Sequence, residues 1–283
     1  MSPLWRDQIR IVLSPGQVIL VRLARGWTRR VTDKRVVSCA AATPGETPWC
    51  NALTALETVL PEFGGRKADA VVVLSNHFVR YTLVTLSNEI STANEEEVLV
   101  RHNFARVYGA TADHWALRLS DANGGGGLRM ASEVDQDLQE SLRALFQPTK
   151  LKLRSIQPYL MVAFNHWRHR FNDSAWFALV EQGRLCLAKI HHNQWHSIKA
   201  IKISDDWFRD VAVQLDRERL LSSCEAANTT NAATKMPVFL FAPGCAKPDP
   251  ARAEELSFRL LRSALPSGDA ETAEAPYAMA LIG

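Results

Sequence analysis

Two short turns carry residue types that grip phosphate. Ser14-Pro15-Gly16-Gln17 joins the apolar runs of "IVLSPGQVILVRL", and Glu181-Gln182-Gly183 joins those of "WFALVEQGRLCLAKI". A phosphate cradle uses backbone N–H groups, hydroxyl donors and a glycine that lets the backbone close on the anion, with a carboxylate for hydrated Mg²⁺. The first turn supplies a hydroxyl and a glycine. However, Pro15 removes an N–H, and the nearest upstream acid, Asp7, precedes the strand. The second turn supplies the carboxylate of Glu181 with no serine or threonine after it. A plain corner between strands explains both turns as well, since glycine and proline favour tight turns.

Other candidates are weaker. Gly124–Gly127 is not followed by a basic helix start, so it reads as a loop tip rather than a phosphate loop. His191, His192 and His196 include an i, i+4 pair, but a strand and turn would splay the rings, and no metal site is expected. His166 and His169 lie one helical turn apart beside Arg168 and Arg170, as an exposed polar face does. Ser75-Asn76-His77 follows an apolar run, where α/β proteins often place ligands, with no acid or nucleophile beside it. Cys186 sits between leucines as core. The five cysteines (Cys39, Cys50, Cys186, Cys224, Cys245) contain no C-x-x-C pair. That fits neither a disulfide framework nor structural zinc and suits a reducing cytoplasm.

The elements that must position these residues follow from composition and pattern. With 283 residues, 47% hydrophobic and 22% charged, the chain reads as ordinary globular protein. No run reaches the ~20 apolar residues of a membrane span, and "MSPLWRDQIR" lacks the apolar middle of a secretory signal. The net charge of +3 is small but uneven. Lys150 to Lys202 carries nine Lys/Arg against Asp173 and Glu181, and five of the eight histidines fall there; 204–283 is acidic. Such a basic stretch suits a solvated face, or else anionic lipid, nucleic acid or an acidic partner.

Ile9–Leu13, Gln17–Arg25 and Thr28–Cys39 read as three successive strands, with a second turn at Arg25-Gly26-Trp27. A helix around Leu53, Leu56, Val59 and Leu60 follows, stopped by Pro61 and Gly64-Gly65. Ala70–Leu74 and Phe78–Val84 read as strands. Thr92 with Glu95, or Asn94 with Glu97, has capping-box spacing for a helix reaching Tyr108. Trp115–Ser120 and Leu128–Ala131 flank "DANGGGG" as a hairpin. Ser132 is expected to cap a helix striped by Val134, Leu138, Leu142 and Leu145. Leu151–Ile156 is a strand, and Leu160, Phe164, Trp167 and Phe171 stripe the next helix.

After Asn172-Asp173 the opening pattern returns: Trp176–Glu181, Arg184–His191 and Trp195–Ile203 are strands. Gly16 then matches Gly183, Leu20 matches Leu187, and Trp27 matches Trp195 after one inserted residue. Ser204 starts a helix with Trp207, Phe208, Val211 and Leu215. Val238–Phe241 is a strand, and Ala251–Leu265 and Ala273–Ile282 read as helices. Two such copies, 167 residues apart, imply an α/β fold of paired subdomains facing a cleft.

This duplication resembles the actin-like ATPase (ribonuclease H-like) fold. It is most similar to the PilM-type assembly proteins of type IV pili and to the cytoplasmic domain of the type II secretion L subunit, together with uncharacterised bacterial relatives. The likeness is carried by "VVVLSNHFVRYTLV", "RHNFARVYGATADHWALRLSD", "LRSIQPYLMVAFNHWR" and "WFALVEQGRLCLAKI". It implies a first half over 1–172, with an inserted subdomain at about 85–131, and a reduced second half over 173–283.

In that fold the first turn of each half holds an acidic D-x-G loop for phosphates and Mg²⁺, and a late glycine pair contacts adenosine. Here the remnants are Ser14, Gly16 and Gln17, then Glu181 and Gly183, and last Gly244 in "FLFAPGCA", where Pro243 replaces a glycine. The resemblance therefore implies a non-catalytic cytoplasmic scaffold of a pilus or secretion assembly, without ATP or Mg²⁺ as a working cofactor. It would dock an inner-membrane assembly protein through a peptide or domain and reach the membrane's inner face through that partner. An active ATP-binding switch or ATPase using Glu181, and a basic nucleic-acid binder, are the alternatives.

Overall fold

The computed structural model describes residues 6–24, 30–63, 65–85, 92–120, 128–171, 174–192, 194–226, 236–245, 257–262 and 275–282. The chain divides into two compact units: residues 1–167 with 263–283, and residues 168–262.

In unit 1, β1 (Asp7–Leu13), β2 (Gln17–Ala24) and β3 (Arg30–Ser38) form an antiparallel meander. β4 (Ala68–Leu74) and β8 (Leu151–Pro158) join it in parallel, giving the order β3-β2-β1-β4-β8. Because β1 is central and covered on both faces, its apolar run is continuous rather than alternating. Ile9, Ile11, Val12 and Leu13 are fully buried. Burying each such side chain is worth about 1.5–3 kcal/mol.

Two arginines are buried in this sheet, one on each face. Arg22 points to helix α1 (Cys50–Phe63), where its Nη2 donates to the Phe63 carbonyl at 2.8 Å and its Nη1 to Asp7 at 3.1 Å. Arg10 points the other way. Its Nη1 donates at 3.1 Å to the Ala280 carbonyl in helix α6 (Ala278–Leu281). Each guanidinium thus satisfies a carbonyl that a helix end leaves unpaired.

β5 (Val79–Thr85), β6 (Trp115–Leu119) and β7 (Leu128–Asp135) make a separate antiparallel sheet in the order β5-β7-β6. Helix α2 (Ala93–Tyr108) packs on it through Val100 and Phe104 against Val84, Ala112 and Ala131. The capping box falls on Thr92 and Glu95: the Glu95 N–H donates to Thr92 Oγ1 at 3.2 Å, and the Thr92 N–H to Glu95 Oε2 at 3.1 Å. Helix α3 (Gln136–Phe146) returns the chain to β8, and helix α4 (Tyr159–Trp167) follows it.

In unit 2, β9 (Ser174–Glu181), β10 (Arg184–His191) and β11 (Gln194–Lys202) repeat the meander. Helix α5 (Trp207–Ala226) comes next, followed by β12 (Val238–Phe241) and β13 (Phe258–Leu260). The order β11-β10-β9-β12-β13 and every strand direction reproduce unit 1. Ile11 faces Leu20 in the first sheet and Ala178 faces Leu187 in the second, so the 167-residue offset holds residue by residue. Both meanders also break register at the same place, between Arg22 and Leu23 and between Lys189 and Ile190.

Several expectations are corrected. Pro61 does not stop α1, which runs on to Phe63. Ser132 caps no helix: it pairs with Tyr81 inside β7, and Asp135 caps α3 by accepting from the Asp137 N–H at 2.9 Å. Helix α4 ends at Trp167, before Phe171, although all four residues of that stripe are buried. Ser204 does not cap the backbone of α5; its N–H and hydroxyl both donate to Asp210, at 2.6 and 2.7 Å, which holds that carboxyl below its usual range. Phe258–Leu260 is an edge strand within the expected helix 251–265, the rest of which lies outside the described residues except Ser257, Leu261 and Arg262, likewise not helical. Trp195 occupies the place of Val31, because Ile190 faces Trp195 where Leu23 faces Val31; Trp27, its expected match, lies outside the described residues. The turn at 25–27 and the glycine run 124–127 also lie outside them.

Candidate functional site

The first turn closes on itself. The Ser14 N–H and hydroxyl both donate to the Gln17 carbonyl, at 3.0 and 2.8 Å. The two donors that would face a phosphate are therefore spent inside the turn. Gly16 has open space around it and no positive φ, so nothing at this corner requires glycine. The adjoining carboxyl end of β4 is also internally satisfied. Asn76 is fully buried, and its Oδ1 accepts from the Tyr81 hydroxyl at 2.6 Å and the Leu160 N–H at 3.2 Å. The Ser75 hydroxyl accepts the His77 N–H at 3.2 Å. These residues tie β4, β5 and α4 together.

The second turn differs. Gly183 sits at φ 74, a conformation that L side chains rarely adopt. Glu181 is 7% exposed, at the carboxyl end of β9. Parallel β12 ends beside it and leads into Ala242-Pro243-Gly244-Cys245, with Gly244 at φ 79. Burial, and to a lesser degree the Glu181 charge, pushes the Cys245 thiol up to about 11. Unit 2 thus gathers Glu181, Gly183 and Gly244 at one end of its sheet, and unit 1 gathers Ser14, Gly16 and Gln17 at the equivalent end of its own.

The histidines of unit 2 do not splay as expected. The rings of His191 and His192 are 4.1 Å apart and those of His191 and His196 6.4 Å, with His191 Nδ1 2.6 Å from Ser174 Oγ. No group of three potential ligands among the described residues is placed to hold a metal. Cys186 is core, with its thiol pushed well up by burial.

Two features of unit 1 were invisible in the sequence. The first is a groove of about 790 Å³ between two edge strands, β6 of the small sheet and β8 of the large one. Trp115–Arg118 line one wall and Leu153–Ile156 the other. Its charged residues are Arg101, Arg118, Arg143 and Arg154 against Glu140. The second is Glu133, fully buried in β7, with neither carboxylate oxygen hydrogen-bonded; burial raises it to about 7. Alternation in β7 turns Glu133 toward the Ala131 side of the small sheet and Ser132 and Val134 toward the groove.

No family model matches the chain, and no curated protein sequence matches it. Solved structures do. The PilM–PilN type IV pilus biogenesis complex aligns with a TM-score of 0.63 at 15% identity, over 97% of this chain and 96% of that one. The cytoplasmic domain of EpsL, an inner-membrane component of the Vibrio cholerae type II secretion system, aligns at 0.55 and 12%, over 98% and 92%. A Bacteroides thetaiotaomicron protein with an actin-like ATPase fold and unknown function aligns at 0.55 and 12%, over 92% and 94%. The chain has the actin-like ATPase fold, with duplicated subdomains, and resembles PilM and cytoplasmic EpsL.

Proposed function

We propose that this chain is a non-catalytic actin-like scaffold at the inner face of a bacterial inner membrane, docking a partner of a pilus or secretion-type assembly. The observation that carries the reading is the first turn: Ser14 spends both donors on Gln17, Pro15 has no N–H, and the turn holds no carboxylate. Ser14, Gly16 and Gln17 do not fit Mg-ATP. Glu181, Gly183 and Gly244 supply one carboxylate and two glycines, without the hydroxyl that would complete a phosphate grip.

The groove supports the docking half of the reading. β6 and β8 are both edges of their sheets among the described strands, the form of surface to which an extended peptide adds as a strand. Its arginines favour a polar or acidic segment. PilM is known in complex with PilN, and EpsL is an inner-membrane component, which accords with this class of partner. No described helix is long and apolar enough to cross a membrane.

Titration calorimetry with Mg-ATP tests the reading: no binding at micromolar nucleotide is expected, from wild type or Glu181→Ala. Micromolar binding that Glu181→Ala abolishes would overturn it in favour of an ATP-dependent switch.

A further inference from the structure

Three parallel strands of unit 1 begin in step: Asp7 lies opposite Ala68, and Ala68 opposite Leu151. The residue just before each is a cation, Arg6, Lys67 and Lys150. With strands ~4.8 Å apart, the row spans about 10 Å. Lys152 of β8 and Arg143 of α3 join it, and all five line one open depression of about 600 Å³. Buried Phe146 and Leu151 form its floor, and among the described residues no carboxylate lines it. Arg6 lies 3.8 Å from Asp69, which already holds Arg154 at 3.0 Å. Lys67, Lys150 and Lys152 make no ion pair among the described residues. This is the amino end of the parallel strands, roughly 20 Å along β1 from the Ser14–Gln17 turn.

We propose that this row is a membrane contact, with the depression seating the headgroups of acidic phospholipids. Three of the five cations are lysines, point charges on flexible stems that read charge density rather than a fixed hydrogen-bonding pattern. The uncharged polar side chains on offer are Gln147 and Thr149, and the Thr149 hydroxyl is committed to the Phe146 carbonyl at 2.8 Å. That set lacks the directional donors and acceptors by which a specific peptide is chosen. The depression is shallow and apolar-floored, unlike a channel that tracks a nucleic-acid backbone. The contact goes beyond docking through a partner: Arg143, Gln147 and Leu153 line both the groove and the depression, but Arg6, Lys67, Lys150 and Lys152 line the depression alone, and it is independent of the nucleotide turns.

Co-sedimentation of the full chain with vesicles tests it. Binding is expected to phosphatidylcholine vesicles containing phosphatidylglycerol, to be absent on phosphatidylcholine alone, and to fall as salt rises. The triple variant Lys67→Gln, Lys150→Gln, Lys152→Gln should lower the partition on the order of a hundredfold, about fivefold per cation. All three residues are exposed, so its melting temperature should match wild type. The control Lys202→Gln, Arg209→Gln, Arg217→Gln removes the same charge from exposed sites of unit 2 and should change the partition less than fivefold. The proposal is overturned by no binding to the acidic vesicles, by equal losses in the two triples, or by binding to polyglutamate without binding to vesicles, which would make the site an acidic-peptide surface. A partner peptide still bound by the first triple would show that the docking reading survives such a failure.

Discussion

Positions 10 and 177 are the same place on two copies of one sheet, yet one holds a buried arginine and the other a buried phenylalanine. Arg10 faces Val21 across β2, and Phe177 faces Ala188 across β10. Arg10 is held by a helix carbonyl that returns from residue 280. Phe177 is held by aromatic contacts within its own unit, with Phe171 and Phe239 each part of the same cluster at centroid distances of 5.1 Å. The lesson is that the duplicated backbone fixes where a side chain points, while the chemistry at that point is free to diverge. Unit 1 has diverged furthest. It carries a 76-residue interval between β4 and β8, residues 75–150, where unit 2 has only residues 242–257 between β12 and β13.

The largest effect expected from this pair is on stability. Phe177→Ala should cost unit 2 about 3–5 kcal/mol through the cavity it opens. Arg10→Met should cost unit 1 about 1–3 kcal/mol by leaving the Ala280 carbonyl without that donor. Urea unfolding followed by limited proteolysis would assign each loss to its unit. Equal losses, or losses in the wrong unit, would break the comparison.

A second contrast lies in pH. Glu133 belongs to unit 1, and burial raises its carboxyl from 4.5 to about 7. Below about pH 4.5 it is protonated folded or unfolded and contributes no pH dependence. Between there and pH 7 the unfolded chain releases the proton first, so unit 1 loses stability as pH rises, and the loss is complete above 7. Glu133→Gln should remove that dependence, leaving the variant more stable than wild type at about pH 8 by on the order of 2 kcal/mol. Urea midpoints at about pH 5 and 8 would measure it, and an unchanged wild-type-minus-variant difference would refute it.

The smallest effect separates the two turns. Gly183→Ala should cost about 1–2 kcal/mol, because φ 74 crowds a Cβ against the following carbonyl. Gly16→Ala should stay within about 0.5 kcal/mol. Thermal melts of the two variants decide the point.

The duplication was legible because strand turns and buried strands leave local marks: Gly16 and Gly183 sit at the same offset, and "AVVVL" and "VFLF" are short β-rich runs. Capping at Thr92 and Glu95 was equally local. What failed was non-local or competed with pattern. Trp27 and Trp195 look alike, but the hairpin from Ala24 to Arg30 has three more loop residues than that from His191 to Gln194, which shifts the third strand. Ser132 has the form of a helix cap, yet pairing with Tyr81 keeps it in a strand. Phe258–Leu260 is too short for a period-2 signal to outweigh the helical residues around it. The cation row comes from residues 6, 67, 143, 150 and 152: strand register aligns the ends of β1, β4 and β8, and the packing of α3 beside β8 adds Arg143. Glu133 gave no signal, since burial of a lone glutamate depends on the helix that covers it.

The return of α6 to β1 has a consequence for how the chain is made. Ala278, Met279, Ala280 and Ile282 are buried in unit 1, but a ribosome must add all of unit 2 after Trp167 before it reaches them. At ordinary rates that is a delay of roughly 5–20 seconds. During it, unit 2 has every residue it needs, while the Arg10 face of β1 and β2 still waits for its cover. A guanidinium on that waiting face keeps it wettable in a way that a phenylalanine would not. The half that begins first is completed last, and its buried arginine suits a surface that must spend its early life in water.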